Sequence, residues 1–285
     1  MTGRALSHVE RVCCVCGSGD SDLLYEIRDP ERLAGYMDGR VQPVSSGERI
    51  VRCRTCGLQY VNPIIVWPAG SRAHSLACDL DYFASTRPSR AIGNRHLLRL
   101  AQGLLGRRGR WLDVGAGDGL LASQAQAAGW EAVAIEVDGE LVHALGLDRV
   151  QPPVQVCPLE DADLTPASFD VISLVNVLEH VDAPEEMVAT CARLLRAGGL
   201  LIVHVPNVGS LGARRRGPRW RHYEPLSHFT YFDRHTLPLL LERHGLEPAA
   251  SFSLPGHNRV KRMVLAIMDR LGLYWHDGLG YIARK

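Results

Sequence analysis

Short apolar runs alternate with amphipathic stretches through the centre of the chain. Trp111–Val114 is long enough for a buried strand, and Leu120–Ala128 is a run of helix formers. Glu131–Glu136, Val154–Cys157, Ser168–Val175 and Leu200–Val205 read as four further strands. Asp182-Ala-Pro-Glu185 has the cap and acidic first turn of a helix, with Val188, Cys191, Leu194 and Leu195 as its buried stripe and Gly198-Gly199 as its stop. Upstream, Ile92, Leu97, Leu100, Ala101 and Leu104 share one face of a helix expected from about Ala91 to Leu105, with Asp81-Tyr82-Phe83 preceding it. Downstream, Pro248–Leu254 and Leu279–Lys285 read as strands around an amphipathic helix, Asn258–Leu271. Strands and helices alternating at this spacing predict an α/β domain, a parallel sheet with helices on both faces.

The first 70 residues follow another pattern. Leu23–Ile27 reads as a strand, and Arg49–Arg52 and Leu58–Val61 as a hairpin around Cys53-Arg-Thr-Cys56-Gly57. That turn has a counterpart in Cys13-Cys-Val-Cys16-Gly17, from whose second cysteine it is separated by 36 residues. Each turn sets two thiolates side by side, and the following glycine lets the backbone fold back beneath them. Two such turns predict a closed tetrahedral site of Cys13, Cys16, Cys53 and Cys56 holding structural zinc, in which Cys14 is an alternative to Cys13. A redox pair is the competing reading. Pro63 and Pro68 punctuate the exit, which places a domain boundary near residue 70: a zinc ribbon over 1–70 and a larger domain over 71–285. Cys157 and Cys191 read as small buried hydrophobes.

The glycine turn between the first strand and helix of the larger domain carries the candidate chemistry. Gly115, Gly117 and Gly119 allow a tight turn and close approach of backbone N–H groups to a ligand. The third glycine of a dinucleotide fingerprint is missing, because position 120 is Leu120. Asp113-Val-Gly-Ala-Gly-Asp-Gly119 resembles motif I of the class I S-adenosylmethionine (SAM) methyltransferases. Phe169-Asp-Val-Ile172 with Asn176-Val-Leu-Glu-His-Val181 is similar to their motif IV. Leu194–Asn207 and His228–Leu237 resemble later signatures of the same family, so the resemblance spans about residues 81–245.

The resemblance implies a Rossmann-like seven-stranded class I methyltransferase sheet whose last strand is antiparallel, and SAM as the ligand of the glycine turn. It implies cofactor contacts from Asp113, Gly115, Gly117 and Asn176, and from Leu159 with Glu160 or Asp161 near the adenine. Glu136 closes the second strand 23 residues after Asp113, where an acidic side chain accepts hydrogen bonds from both ribose hydroxyls. Tyr82 is the aromatic expected either in the core or against the cofactor. The ribbon itself resembles those fused in front of some small-molecule methyltransferases.

Residues 208–232 follow the fifth strand and are expected to form a lid over the methyl group. They carry Arg214, Arg215, Arg216, Arg219 and Arg221 among Trp220, His222, Tyr223, His228, Phe229, Tyr231 and Phe232. The arginines either read a carboxylate or phosphate on the substrate or form a solvated basic loop. His228 and His180 are the candidates for taking a proton from an oxygen acceptor, with a structural role as the alternative for His180. Glu179, His180 and Glu185 could instead bind a divalent metal.

Composition narrows the function. A formal net charge of +1 gives no global pull toward nucleic acid, and 46% hydrophobic residues suffice for an ordinary core. No apolar run reaches membrane-spanning length, and Met1–Glu10 lacks a signal-peptide core, so a cytoplasmic protein without a membrane partner is expected. The leading expectation is O-methylation of a small molecule in specialised metabolism, an anionic one if the arginines read its charge. N- or C-methylation is an alternative. So is an RNA methyltransferase gripping nucleic acid with ribbon and arginines, resembling the rRNA guanine methyltransferases with an N-terminal zinc finger. A non-catalytic SAM-binding protein is the third reading.

Overall fold

The computed structural model describes residues 7–27, 48–66, 76–254 and 276–285. The boundary expected near residue 70 and the helix expected over 258–271 lie outside the described residues.

The amino-terminal part contains β1 (Ser7–Val9), β2 (Ser21–Ile27), β3 (Glu48–Cys53), β4 (Gln59–Val61) and β5 (Ile64–Val66). β1 pairs with β5 antiparallel, and β2, β3 and β4 form an antiparallel meander. The larger part runs α1 (Leu76–Leu105), β6 (Arg110–Val114), α2 (Leu120–Ala127), β7 (Glu131–Glu136), α3 (Gly139–Leu145), β8 (Val154–Val156), β9 (Phe169–Val175), α4 (Pro184–Leu194), β10 (Leu195–Pro206), α5 (Leu211–Arg216), β11 (Thr230–Tyr231), α6 (Thr236–Arg243), β12 (Glu247–Phe252) and β13 (Gly278–Arg284).

Seven of these strands make one sheet in the order β12-β13-β10-β9-β6-β7-β8. β8, β7, β6, β9 and β10 are parallel, and β13 enters antiparallel between β10 and β12. This is the Rossmann-like class I methyltransferase sheet. Alternate residues of β10 serve its two faces. Leu201, Val203 and Val205 pack with Val188 of α4 and Leu237, Leu240 and Leu241 of α6. Leu200 and Ile202 pack with Leu97 and Ala101 of α1 and with Trp111 and Trp130.

The helix expected from Ala91 begins at Leu76, so Asp81-Tyr82-Phe83 lies inside it and not before it. The reason is local. Pro88 lies inside α1, where it removes one main-chain donor. Hydroxyls of Ser85 and Thr86 donate to the Tyr82 carbonyl at 3.2 and 2.6 Å, and the Arg90 guanidinium donates to the Phe83 carbonyl at 3.0 Å. Side chains thus occupy main-chain acceptors in the turns around the proline.

The amino-terminal part is built into the larger one. β11, from the segment after β10, adds to the edge of β4, pairing Thr230 with Tyr60 and Tyr231 with Gln59. Cys13, Val15, Cys53, Leu58 and Tyr60 belong to the same buried cluster as α4 and α6. Arg11 donates to the carbonyls of Val61, Asp182 and Phe229 and to the Thr230 hydroxyl, joining three distant segments. Most aromatics of 208–232 serve this junction: Trp220, Tyr223, Phe229 and Tyr231 are buried with Ile50, Val61 and Ile64.

Candidate active site

Two cysteine turns have the same construction. The Gly17 N–H donates to the Cys13 carbonyl at 2.7 Å and the Gly57 N–H to the Cys53 carbonyl at 3.0 Å, with φ of 76° and 80° at the two glycines. Cys13 and Cys56 Sγ stand 3.4 Å apart, as do Cys16 and Cys53. All four ligand atoms lie within 4.8 Å of one another. Zn–S bonds of about 2.3 Å set tetrahedral sulfur separations near 3.8 Å, so the group fits structural zinc. Cys13, not Cys14, stands in this group. Cys191 is fully buried and Cys157 half-buried.

The glycine turn sits at the carboxyl edge of the sheet, between β6 and α2. Gly115, Gly117 and Gly119 all have positive φ, at 67°, 56° and 67°. A Cβ on Gly115 would lie 2.5 Å from Val177, and one on Gly117 would lie 2.7 Å from the Phe83 ring. The turn is therefore closely walled, by the loop after β9 on one side and by α1 on the other. Phe83 provides that wall, while Tyr82 is 47% exposed. Arg90 stacks over Phe83 and, with Arg87, pairs with buried Asp118 inside the turn at 2.6 and 3.0 Å. Helix α1 is thus fastened to the turn it covers.

Glu136 ends β7 facing the same turn. Its Oε2 accepts from Gly117 N at 2.8 Å, and its Oε1 from Val137 and Asp138 N at 2.9 and 3.1 Å. These amides fix the carboxylate in place beside the glycines, with acceptor capacity left over. Asp113 lies beneath the turn, 3% exposed, accepting from the Ser173 hydroxyl at 2.7 Å. Burial pushes its carboxyl up to about 7 against the pull of that hydrogen bond. Leu159 is buried and Glu160 exposed in the single helical turn after β8.

Asn176 follows β9 with φ of 56°, a strained position for a residue with a Cβ. Its Oδ1 bonds to His204 Nδ1 at 2.9 Å. His204 escaped the sequence reading. Its only signal is one polar residue in the otherwise apolar Leu200–Val205 run. Burial, then the neighbouring His222 and His276, lower its pKa to about 4.

The loop after β9 continues to Glu179 and His180. The His180 N–H donates to the Val177 carbonyl at 2.9 Å, so this turn carries both the wall of Gly115 and the imidazole. His180 and His228, far apart in sequence, meet edge to face with ring centres 4.6 Å apart. His180 Nδ1 bonds to the Ser227 carbonyl at 2.8 Å and His228 Nδ1 to the His222 carbonyl at 2.9 Å. A carbonyl only accepts, so each Nδ1 carries a proton, and in the neutral ring each Nε2 is the nitrogen with the lone pair. The His180 side chain is 40% exposed and that of His228 only 9%. Glu179, His180 and His228 hold ligand atoms within 4.8 Å of one another, a second group able to hold a metal ion, with His228 in the place the sequence suggested for Glu185. Buried Glu179 has its carboxyl pushed up to about 8 by desolvation, and its Oε2 has no hydrogen-bond partner among the described residues.

The comparisons with known proteins agree with this architecture. A family model described as a methyltransferase domain matches residues 83–251. A ubiquinone biosynthesis O-methyltransferase from Xanthomonas euvesicatoria pv. vesicatoria (strain 85-10) is 38% identical over 103 residues, covering 34% of this chain and 43% of that protein. The Xylella fastidiosa (strain 9a5c) protein of the same name is 38% identical over 103 residues, covering 34% and 42%. The chain therefore spans less than half the length of these curated relatives. A crystal structure of a SAM-dependent methyltransferase from Archaeoglobus fulgidus superposes with a TM-score of 0.52 at 19% identity, over 72% of this chain and 99% of that one. That likeness is one of fold.

Proposed function

This chain belongs to the class I SAM-dependent methyltransferases, and from that premise we propose that it methylates an oxygen of a small molecule in a biosynthetic pathway. The observation that carries the reading is the glycine turn, whose Gly117 N–H meets the Glu136 carboxylate at 2.8 Å. The name carried by the relatives, ubiquinone biosynthesis O-methyltransferase, supports an oxygen acceptor. Among the described residues no helix is long and apolar enough to cross a membrane. We place the enzyme in the cytoplasm, with residues 1–70 as a zinc-braced module and 71–285 as the methyltransferase domain.

Bound SAM supplies an electrophilic methyl group on a sulfonium. The chain's own task is to align the acceptor and exclude water. Gly115 and Gly117 let the main chain lie close to the methionine part. Glu136 would hold the ribose hydroxyls, Leu159 and Glu160 would lie on the adenine side, and Asn176 on the side of the methyl-bearing end. Asp113 braces the turn from below through Ser173. Phe83 and the Arg87–Asp118 and Arg90–Asp118 pairs close α1 over the ligand.

For an oxygen acceptor, the paired histidines remove the proton. The pattern of residues favours His228, whereas the geometry favours His180, whose Nε2 belongs to the more exposed ring. His228 packs behind it and orients it. His180→Ala is expected to keep SAM affinity and lower turnover about 10²–10⁴-fold, the usual worth of a general base. The loss should be largest below the acceptor's own pKa, and His228→Ala should lose less. The pH–rate profiles of both variants check this, and unchanged turnover in both would remove histidine from the mechanism.

The partnerless Glu179 Oε2 beside two imidazoles favours a second reading, a divalent ion held by Glu179, His180 and His228. Chelation followed by add-back of magnesium alone, which does not refill the four-cysteine site, separates the two. Activity lost and restored supports the metal, and indifference supports the base.

A further inference from the structure

We propose that the groove lined by Arg214, Arg215, Arg216, Arg219 and Arg221 receives a phosphate or diphosphate carried by the methyl acceptor. This deepens the reading of the chain as a small-molecule methyltransferase and rests on it.

The charge is concentrated at the carboxyl edge of the sheet, where ligands of open α/β sheets bind. The whole chain has a net charge of only +1, yet these five exposed arginines line one groove after β10 together with a single acidic residue, Asp277. Asp277 is largely engaged elsewhere. Its Oδ1 accepts from the Ser210 hydroxyl at 2.9 Å and Trp220 Nε1 at 3.2 Å, and its Oδ2 stands 3.9 Å from Arg216 and 3.8 Å from Arg221. Arg214, Arg215 and Arg219 have no acidic partner among the described residues. Cations in the last turn of α5 complement the helix dipole, but one would suffice, and Arg219 and Arg221 lie beyond that helix.

The groove lies at the carboxyl end of β10, where its wall residue Gly278 pairs with Pro206. A Cβ on Gly278 would lie 2.7 Å from His204 Nε2. His204 in turn holds Asn176 at the carboxyl end of β9. His204 and Gly278 thus stand in close contact between Asn176 and the arginines, and an acceptor lying over the carboxyl edge beside Asn176 would carry its charged end across them to the arginines. Binding energy gained there positions the distant reacting centre.

The choice of phosphate follows from number and surroundings. One bidentate arginine satisfies a carboxylate, whereas several guanidiniums suit a multiply charged anion with many acceptor oxygens. Base stacking needs exposed rings, but Trp220 and Tyr223 are 0% and 3% exposed. A membrane surface needs an apolar face, and among the described residues Leu211 is the one exposed large hydrophobic residue lining the groove.

The test titrates inorganic pyrophosphate, and separately SAM, into the full-length protein and its Arg215→Gln/Arg219→Gln variant by calorimetry. Both arginines are exposed, so the variant should fold. Pyrophosphate is expected to bind the parent protein and to bind the variant about tenfold or more weakly, while SAM binds both equally. SAM binding without pyrophosphate binding, or equal pyrophosphate affinity in both proteins, overturns the groove and leaves the methyltransferase reading standing. Failure of the parent protein to bind SAM overturns that reading itself. Retention of single-stranded RNA or phosphatidylglycerol vesicles that depends on the two arginines, with no pyrophosphate binding, also overturns the proposal.

Discussion

Gly117→Val binds SAM at least about 100-fold more weakly than the parent protein while remaining folded. Two independent effects combine. The backbone at Gly117 has φ of 56°, a conformation that costs a β-branched residue about 1–3 kcal/mol. The new Cβ would also lie 2.7 Å from the Phe83 ring, so α1 must move or the turn must open. Either change displaces the Gly117 N–H from Glu136 and spoils the site where the ribose is to be held. At about 1.4 kcal/mol per tenfold, the two effects together account for the loss. Gly146→Ala is the control, because Gly146 also has positive φ, 62°, but a Cβ there meets nothing within 4 Å. That variant should lose stability without losing SAM affinity. Calorimetry on both variants, with circular dichroism to confirm folding, checks the prediction.

Cys53→Ser releases zinc and lowers the melting temperature of the whole protein, not of a detachable module. Elemental analysis should find about one zinc per parent chain and none in the variant. Structural zinc in small domains is worth on the order of 10 kcal/mol of folding free energy at neutral pH. Even a fraction of that, at about 2–4 °C per kcal/mol for a domain of this size, lowers the midpoint by roughly 10 °C or more. Cys13 and Cys53 share a buried cluster with α4 and α6, and β11 is hydrogen-bonded to β4, so the loosening reaches His228 and the histidine pair. A single lowered transition is expected. A metal-free parent protein that melts at the same temperature as the zinc-loaded one would contradict the assignment.

Much of this arrangement is legible from residues near one another in the chain. The central strands β6 and β9 are apolar runs whose patterns survive because both of their faces are covered, whereas the edge strands β8 and β12 are largely open. The Cys13 and Cys53 turns and the Gly115–Gly119 turn are equally local, since their function depends on glycine at fixed offsets. The upstream half of α1 lacks the regular apolar face of its Ala91–Leu105 part and carries Pro88, so its helical turns are not marked by the pattern. Contacts between remote segments left little trace. The two-residue strand β11 pairs positions 230 and 60 through main-chain bonds that carry no residue preference. The aromatics of 208–232 look alike whether they line a pocket or bury a junction, and only the register of β11 shows that several do the latter. His204 shares its environment with hydrophobic neighbours, so its pairing with Asn176 emerges only when β9 and β10 are aligned.

Calorimetric titration of SAM into the parent protein and Glu136→Ala tests the central claim most directly. The parent should bind one SAM per chain. The variant should bind it more weakly by about 1–3 kcal/mol, the cost of leaving buried hydroxyls without their acceptor. No heat of binding in the parent, or equal affinity in the two proteins, would contradict the placement of the cofactor at the carboxyl edge of β6 and β7.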